Sequence, residues 1–161
     1  MYNIGDVVVY KRNVCVINEV KPNYYYGNTY YIMHPIDDKG LKIEIPTSNK
    51  NGFLRDVISK SEAEKLIESV PFIERIEESE KHMENEYKLL LKSNQIEDLI
   101  KIIKTTYLRN QERKLSGKKI GEKDDSYLKK AERYLYNELS ISLGLSVEEI
   151  KDSIWQKCSD I

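Results

Sequence analysis

The distribution of proline constrains the fold of this chain more than any other feature of its sequence. All four prolines fall within the first 71 residues, and Pro71 is the last of them. Because proline removes a backbone donor and clashes with the preceding helical turn, long helices form only in stretches without it. The sequence therefore predicts two parts, with a boundary near residue 60 and helices throughout the second.

The first part has the pattern of a small β-sheet. Its runs of β-branched and aromatic residues lie at 7–10, 14–20, 29–33 and 41–45. Residues 21–28 predict a hairpin, because Pro22 and Gly27 supply turn geometry. The last run alternates apolar and charged residues up to Pro46, which cannot donate to a ladder, so we predict that this strand ends there or lies on an edge of the sheet. Four or five short strands favour a bent sheet or half-open barrel.

Helix-start signals divide the second part into five helices. Ser61 and Glu64 form a capping-box motif for the first helix, which Pro71 ends. A second helix is predicted from about residue 78 to 92. Asn94 is predicted to cap a third helix, because its side chain can accept from the free amides of the first turn.

Two apolar stripes at helical spacing predict the core of this bundle. They consist of Ile96, Leu99, Ile100, Ile103 and Tyr107 in the third helix and Leu128, Ala131, Leu135, Leu139 and Leu143 in the fourth. Asp124, Asp125 or Ser126 is predicted to cap the fourth helix, and Gly144 to end it. A second capping box at 146–149 opens a last helix to about residue 159. The expected fold class is α+β, a small bent sheet followed by a helical bundle.

Composition excludes several classes of protein. The sequence is 40% hydrophobic and 33% charged, with a net charge of −1, and it has neither a run of about 18 apolar residues nor a leader-like start. No CxxC motif accompanies Cys15 and Cys158, which indicates unpaired thiols. We therefore expect a cytoplasmic protein without a membrane partner.

The motifs of catalysis and metal binding are missing from the sequence. Residues 116–119 (Ser-Gly-Lys-Lys) follow a predicted helix, whereas a phosphate-binding loop follows a strand. His34 and His82 are far apart and have no acidic or thiol neighbours at ligand spacing. The carboxylate doublets lie at predicted turns and helix starts, where anions are favoured for structural reasons. We expect no enzyme, metal, cofactor or small-molecule substrate.

Charge and aromatic residues suggest two local surfaces. Residues 99–119 hold seven basic side chains and one acidic side chain, which makes this segment a candidate for phosphate contact. The alternative is a solvated face, because helix C-termini attract cations and these residues lie on both sides of the apolar stripe. Residues 24–26 (Tyr-Tyr-Tyr) are a candidate partner contact, with ordinary hairpin packing as the alternative.

Several segments together resemble the CarD/CdnL family of bacterial transcription regulators, in order and over nearly the whole chain. They are residues 2–10 (Tyr-Asn-Ile-Gly-Asp-Val-Val-Val-Tyr), 41–46, 54–57 (Leu-Arg-Asp-Val), 87–88 (Tyr-Lys), 110–116 (Asn-Gln-Glu-Arg-Lys-Leu-Ser) and 128–131. The resemblance implies a Tudor-like RNA polymerase interaction domain at 1–58, a type shared with the transcription-repair coupling factor. It also implies a helical DNA-binding domain at 61–161.

The resemblance implies that the sheet adds to the β subunit of RNA polymerase by strand-edge recognition. The polymerase-binding residues would then be Asn23, Lys42, Ile43, Glu44, Ile45 and Pro46. Family members carry arginine at the positions of Asn23 and Glu44. The reversed charge at Glu44 implies a compensating change on the polymerase or weaker docking.

The resemblance further implies contact with upstream promoter DNA, largely without sequence preference, and an effect on open-complex stability in the nucleoid. Met83 occupies the position of a family tryptophan that wedges into the minor groove. The DNA-binding residues would be Met83, Tyr87, Lys88, Arg109, Arg113, Lys114, Lys118 and Lys123. Trp155 lies in the last helix and is expected in the core. The alternative is a polymerase-binding adaptor with little or no wedge activity.

Overall fold

A computed structural model describes residues 1–159, and in it the chain divides into two units. The first is Met1–Val57 and the second is Ile58–Ile161. The division lies close to the boundary predicted near residue 60. Among the described residues, no helix is both long and apolar enough to cross a membrane.

The first unit is an open, five-stranded antiparallel sheet. Its strands are β1 (Val7–Tyr10), β2 (Asn13–Tyr25), β3 (Asn28–Pro35), β4 (Ile43–Pro46) and β5 (Leu54–Asp56). The order across the sheet is β4-β3-β2-β1-β5, so β4 is an edge strand, as predicted. One face carries a core in which Val8, Ile17, Tyr31 and Met33 are fully or almost fully buried.

The predicted hairpin at 21–28 forms, but its turn is shorter than expected. Strand β2 continues to Tyr25, and only Tyr26 and Gly27 connect it to β3. Positive φ angles of 49° and 77° at these two residues are typical of a type I′ turn. The register shifts between Lys21 and Tyr25, because Pro22 lacks a donor and the chain bulges there.

The described part of the second unit, residues 58–159, contains five α-helices. They are α1 (Lys60–Ser69), α2 (Glu80–Lys92), α3 (Glu97–Leu115), α4 (Glu122–Leu143) and α5 (Val147–Ser159). A single 3-10 turn, Val70–Phe72, follows α1. Both predicted stripes contribute to one core. Its members from these stripes include Leu99, Ile100 and Ile103 of α3 and Leu128, Ala131, Leu135 and Leu139 of α4. The predicted α+β fold class is confirmed.

Three predicted helix starts are wrong by a few residues. Ser59, not Ser61, caps α1, and its Oγ accepts from the Glu62 amide at 3.1 Å. Helix α3 begins at Glu97 after Ile96, so Asn94 is not its cap. Helix α4 begins at Glu122, which leaves Asp124 inside its first turn.

The signals around the last connection are confirmed. Gly144 ends α4 with a φ of 67°, which suits a residue without Cβ. Ser146 Oγ accepts from the Glu149 amide, and a carboxylate oxygen of Glu149 accepts from the Ser146 amide. This capping box opens α5 as predicted.

Candidate docking edge and basic surface

Successive residues of β4 direct their backbone N–H and C=O groups alternately toward β3 and away from it. The Thr47 amide donates to the Thr29 carbonyl at 2.9 Å, which identifies Thr47 and Thr29 as a hydrogen-bonded pair. Because such pairs alternate in an antiparallel ladder, Ile45 opposite Tyr31 is bonded to β3, whereas Glu44 turns its N–H and C=O away. Within the described sheet, β4 has a neighbouring strand on one side only.

The side chains of β4 also alternate. Ile45 is buried and Ile43 is half-buried against the core, whereas Lys42, Glu44 and Pro46 are exposed. Pro46 lies opposite Tyr30 at a position whose nitrogen would face outward, which is why proline fits there without costing a ladder bond. Five of the six predicted polymerase-binding residues therefore form one continuous edge.

The negative charge of Glu44 is partnered within its own sheet. Lys42 Nζ lies 2.9 Å from Glu44 Oε1, and the Tyr24 hydroxyl donates to the same oxygen at 3.0 Å. Hydrogen bonds from Lys42 and Tyr24 hold the pKa of Glu44 below its usual value. Asn23, the sixth predicted residue, lies exposed in the β2 bulge next to Tyr24, with a φ of 54°.

The hairpin tip carries an aromatic cluster that we call the tyrosine patch, formed by Tyr24, Tyr25, Tyr26 and Tyr30. Exposure rises along the tip, from 37% at Tyr24 to 57% at Tyr25 and 86% at Tyr26. The ring centroids of Tyr24 and Tyr30 are 5.6 Å apart, and those of Tyr25 and Tyr26 are 4.4 Å apart. The exposure expected for some of these rings is confirmed.

In the second unit, two arginines of α3 converge on one carboxylate. Arg109 Nε and a terminal nitrogen of Arg113 each lie 2.7 Å from Asp124 Oδ2. The Tyr87 hydroxyl donates to Asp124 Oδ1 at 2.9 Å, and Arg109 also pairs with Glu80 of α2. Burial opposes ionisation of Asp124, but hydrogen bonds from Arg109, Arg113 and Tyr87 hold its pKa below the usual value.

Two of the seven cations in the basic segment at 99–119 are therefore paired within the helical unit. The side chains of Arg109 and Arg113 are only 14% and 22% exposed, and both are occupied by carboxylates. They join α2, α3 and α4 rather than project as free cations. The open pocket beside them, about 220 Å³ in volume, is lined by charges of both signs, Glu80 and Glu112 as well as Arg109, Arg113 and Lys118.

Met83 and Tyr87, which the resemblance assigns to DNA contact, lie inside the helical unit. Met83 is 4% exposed and Tyr87 is 1% exposed, and both belong to the core of the helical unit. Residues four apart share one helical face, and α2 turns this face inward. A minor-groove wedge has to project from the surface. Trp155 packs against the same core, as expected.

The remaining predicted DNA-binding residues are exposed lysines. These are Lys88 on α2, Lys114 at the end of α3, Lys118 in the connection that follows and Lys123 at the start of α4. Lys123 Nζ lies 3.6 Å from Glu84, a distance typical of a weak surface pair. Within residues 1–159, no three His, Cys, Asp or Glu side chains are grouped to hold a metal ion.

No protein-family model matches the chain, and no curated protein matches it significantly. The resemblance to the CarD/CdnL family therefore depends on the sequence segments described above.

Proposed function

We propose that the chain is a cytoplasmic bacterial transcription regulator that docks on the β subunit of RNA polymerase through the outer edge of β4. The supporting observation is the outward-facing N–H and C=O of Glu44 on a strand with one neighbour. An unpaired edge of this kind gains main-chain hydrogen bonds when another chain adds a strand. The resemblance to the CarD/CdnL family supplies the identity of the partner.

Replacing Glu44 tests the edge without removing a bond to β3. Glu44→Pro deletes the outward N–H, whereas the control Glu44→Thr keeps it and loses only the carboxylate. We expect tagged Glu44→Pro to lose recovery of RNA polymerase in a pull-down, and Glu44→Thr to retain most of it. Circular dichroism should give the same folded spectrum for both. Undiminished recovery with Glu44→Pro excludes this edge, and failure of the unaltered chain to recover polymerase excludes the proposal.

The DNA-contacting part of the proposal depends on exposed lysines rather than a wedge. Lys88, Lys114, Lys118 and Lys123 would contact phosphates of upstream promoter DNA, with little sequence preference. Replacing all four by glutamine should reduce the salt-dependence slope of DNA binding by about 3 to 4 and shorten the open-complex lifetime. Lys60→Gln with Lys65→Gln, two exposed lysines of α1, is the matched control.

A second candidate is a polymerase-binding adaptor that does not contact DNA. The burial of Met83 and the carboxylate pairing of Arg109 and Arg113 favour it. The quadruple lysine variant distinguishes the two functions, because for an adaptor these substitutions should leave the footprint and the lifetime of the polymerase–promoter complex unchanged. Met83→Ala is a poor test, since it removes a core side chain and lowers stability.

A further inference from the structure

Tyr26 occupies a backbone conformation that its side chain does not favour. Its φ is 49°, in the left-handed region, where asparagine or glycine is preferred at the first central position of a type I′ turn. The strained conformation does not bury the Tyr26 ring, which is 86% exposed. A residue held in a strained conformation without benefit to the fold points to a role outside the fold.

The other rings of the tyrosine patch are equally unnecessary for the core. The buried core of the first unit and the side chains packed against it include none of the four. The rings are arranged edge to face, with Tyr25 and Tyr30 at 6.3 Å in addition to the pairs given above. Clustered tyrosines offer a large contact area at low cost in side-chain entropy, which is why they are frequent at interfaces.

The patch is continuous with the edge of β4. The Tyr24 hydroxyl bonds to Glu44, and Tyr30 lies directly opposite Pro46. Because side chains alternate along strands, Glu44, Pro46 and Tyr30 lie on the same face of the sheet. A residue of an added strand that pairs with Glu44 would extend its side chain over this face, beside the tyrosines.

The charges around the patch favour a polypeptide over a nucleic acid. Lys21 Nζ lies 3.8 Å from Glu19 and 4.8 Å from the Tyr24 ring centroid, and Lys42 pairs with Glu44. The cations next to the rings are thus matched by carboxylates. Platforms for single-stranded nucleic acid combine stacking rings with a positively charged groove.

We infer that the tyrosine patch receives an apolar side chain of the polypeptide strand that adds to β4, and that this contact strengthens the docking. The inference rests on the proposed function and specifies what the polymerase segment must carry. That segment is extended, pairs its backbone with Glu44 and presents an aliphatic residue or proline to the tyrosines.

Tyr26→Asn separates binding from folding. Asn-Gly is the preferred type I′ sequence, so this variant should melt at the same or a higher temperature. It should nevertheless bind RNA polymerase core enzyme about tenfold more weakly, as expected for an interface aromatic. Phe72→Asn is the control, because it removes an 84% exposed ring from the helical unit and should leave affinity unchanged. Equal affinity of Tyr26→Asn and the unaltered chain overturns the inference.

The variants at Glu44 distinguish a role of the β4 edge from a role of the tyrosine patch. If Glu44→Pro abolishes binding and Tyr26→Asn does not weaken it, the edge is the docking site and the inference about the patch is wrong. If the unaltered chain does not bind polymerase at all, both are wrong. Binding of a labelled oligothymidine that Tyr26→Asn abolishes would assign the patch to single-stranded nucleic acid and likewise overturn the inference.

Discussion

The guanidinium carbon of Arg113 lies 2.6 Å from the position that a Cβ on Gly121 would occupy. The φ of Gly121 is −72°, which any residue adopts, so a larger residue here would be opposed by the Arg113 side chain and not by the backbone conformation. The close approach holds Arg113 against Asp124 at the start of α4. The Gly121 amide and Arg113 share a further acceptor, Asn110 Oδ1.

Gly121→Ala should therefore displace Arg113 and weaken its pairing with Asp124. We expect the free energy of unfolding, measured by urea denaturation, to fall by no more than about 1 kcal/mol, because the clashing atoms are the end of a flexible side chain and alanine restricts the unfolded chain. In an Arg113→Ala background the same change should cost much less, because the clashing group is gone. An equal cost in both backgrounds would show that Arg113 is not the cause.

Asp124→Asn should lower the free energy of unfolding by about 2–4 kcal/mol at pH 7, because two half-buried arginines lose their shared carboxylate. Asp125→Asn removes only an exposed pair with Lys129 and should cost less than about 0.5 kcal/mol. Folding lowers the pKa of Asp124 from its ordinary value of 3.8. The ionised carboxylate therefore stabilises the fold at pH values above 3.8. Unaltered protein should lose this advantage over Asp124→Asn as the pH falls below about 4.

Lys104 is a buried cation whose Nζ donates to the backbone carbonyls of Val70, Pro71 and Ile73. Lys104→Met leaves these acceptors without that donor, and we expect a loss of about 1–3 kcal/mol in thermal or urea unfolding. The control is the same substitution at Lys101, which is half-buried. Burial lowers the pKa of Lys104 from 10.5, against a smaller opposing effect of Cys158.

The lowered pKa of Lys104 also predicts how the stability lost in Lys104→Met depends on pH. Because folding disfavours the charged form of Lys104, the unaltered protein gains stability relative to Lys104→Met as the pH rises toward 10.5. Unfolding free energies measured at pH 7 and near pH 10 check the sign. A gap that narrows with rising pH contradicts this account of Lys104.

The two thiols should resist alkylation until the protein unfolds. Cys15 and Cys158 are fully buried thiols, and burial is the main reason that the pKa of Cys158 is raised to about 11. At pH 8 we expect almost no iodoacetamide adduct in native protein by mass spectrometry, and two adducts in urea. Cys158→Ala should leave one. Rapid labelling of native protein would mean that the core around Cys158 opens locally.

The periodic features of the sequence predicted most of this fold. The stripes containing Ile103 and Leu135 identified the faces that meet in the helical core, because burial repeats with the helix period. Proline at residue 46 predicted the end of a strand or an edge strand, and β4 both ends there and lies at the edge. Cap positions were less accurate, because Ser59 and Ser61 both precede an acidic residue at capping-box spacing and only packing decides between them.

The candidate site was harder to predict because its pairings are tertiary. Asp124 carries the same signal as any acidic residue near a helix start, and nothing local reveals that Arg109 and Arg113 converge on it. Met83 and Tyr87 are four residues apart, a spacing that predicts a shared buried face, but the family resemblance assigned them to DNA. The exposed rings around Tyr26 were signalled by the sequence, whereas their contact with Glu44 was not.

Pro46 also limits how far pairing along β4 can extend. An incoming strand finds a donor and an acceptor at Glu44, but at residue 46 only an acceptor. Edge-to-edge stacking into fibrils requires long uninterrupted ladders between identical chains, which this edge does not provide. The same proline that would confine an added strand to a short segment therefore also disfavours aggregation through this edge.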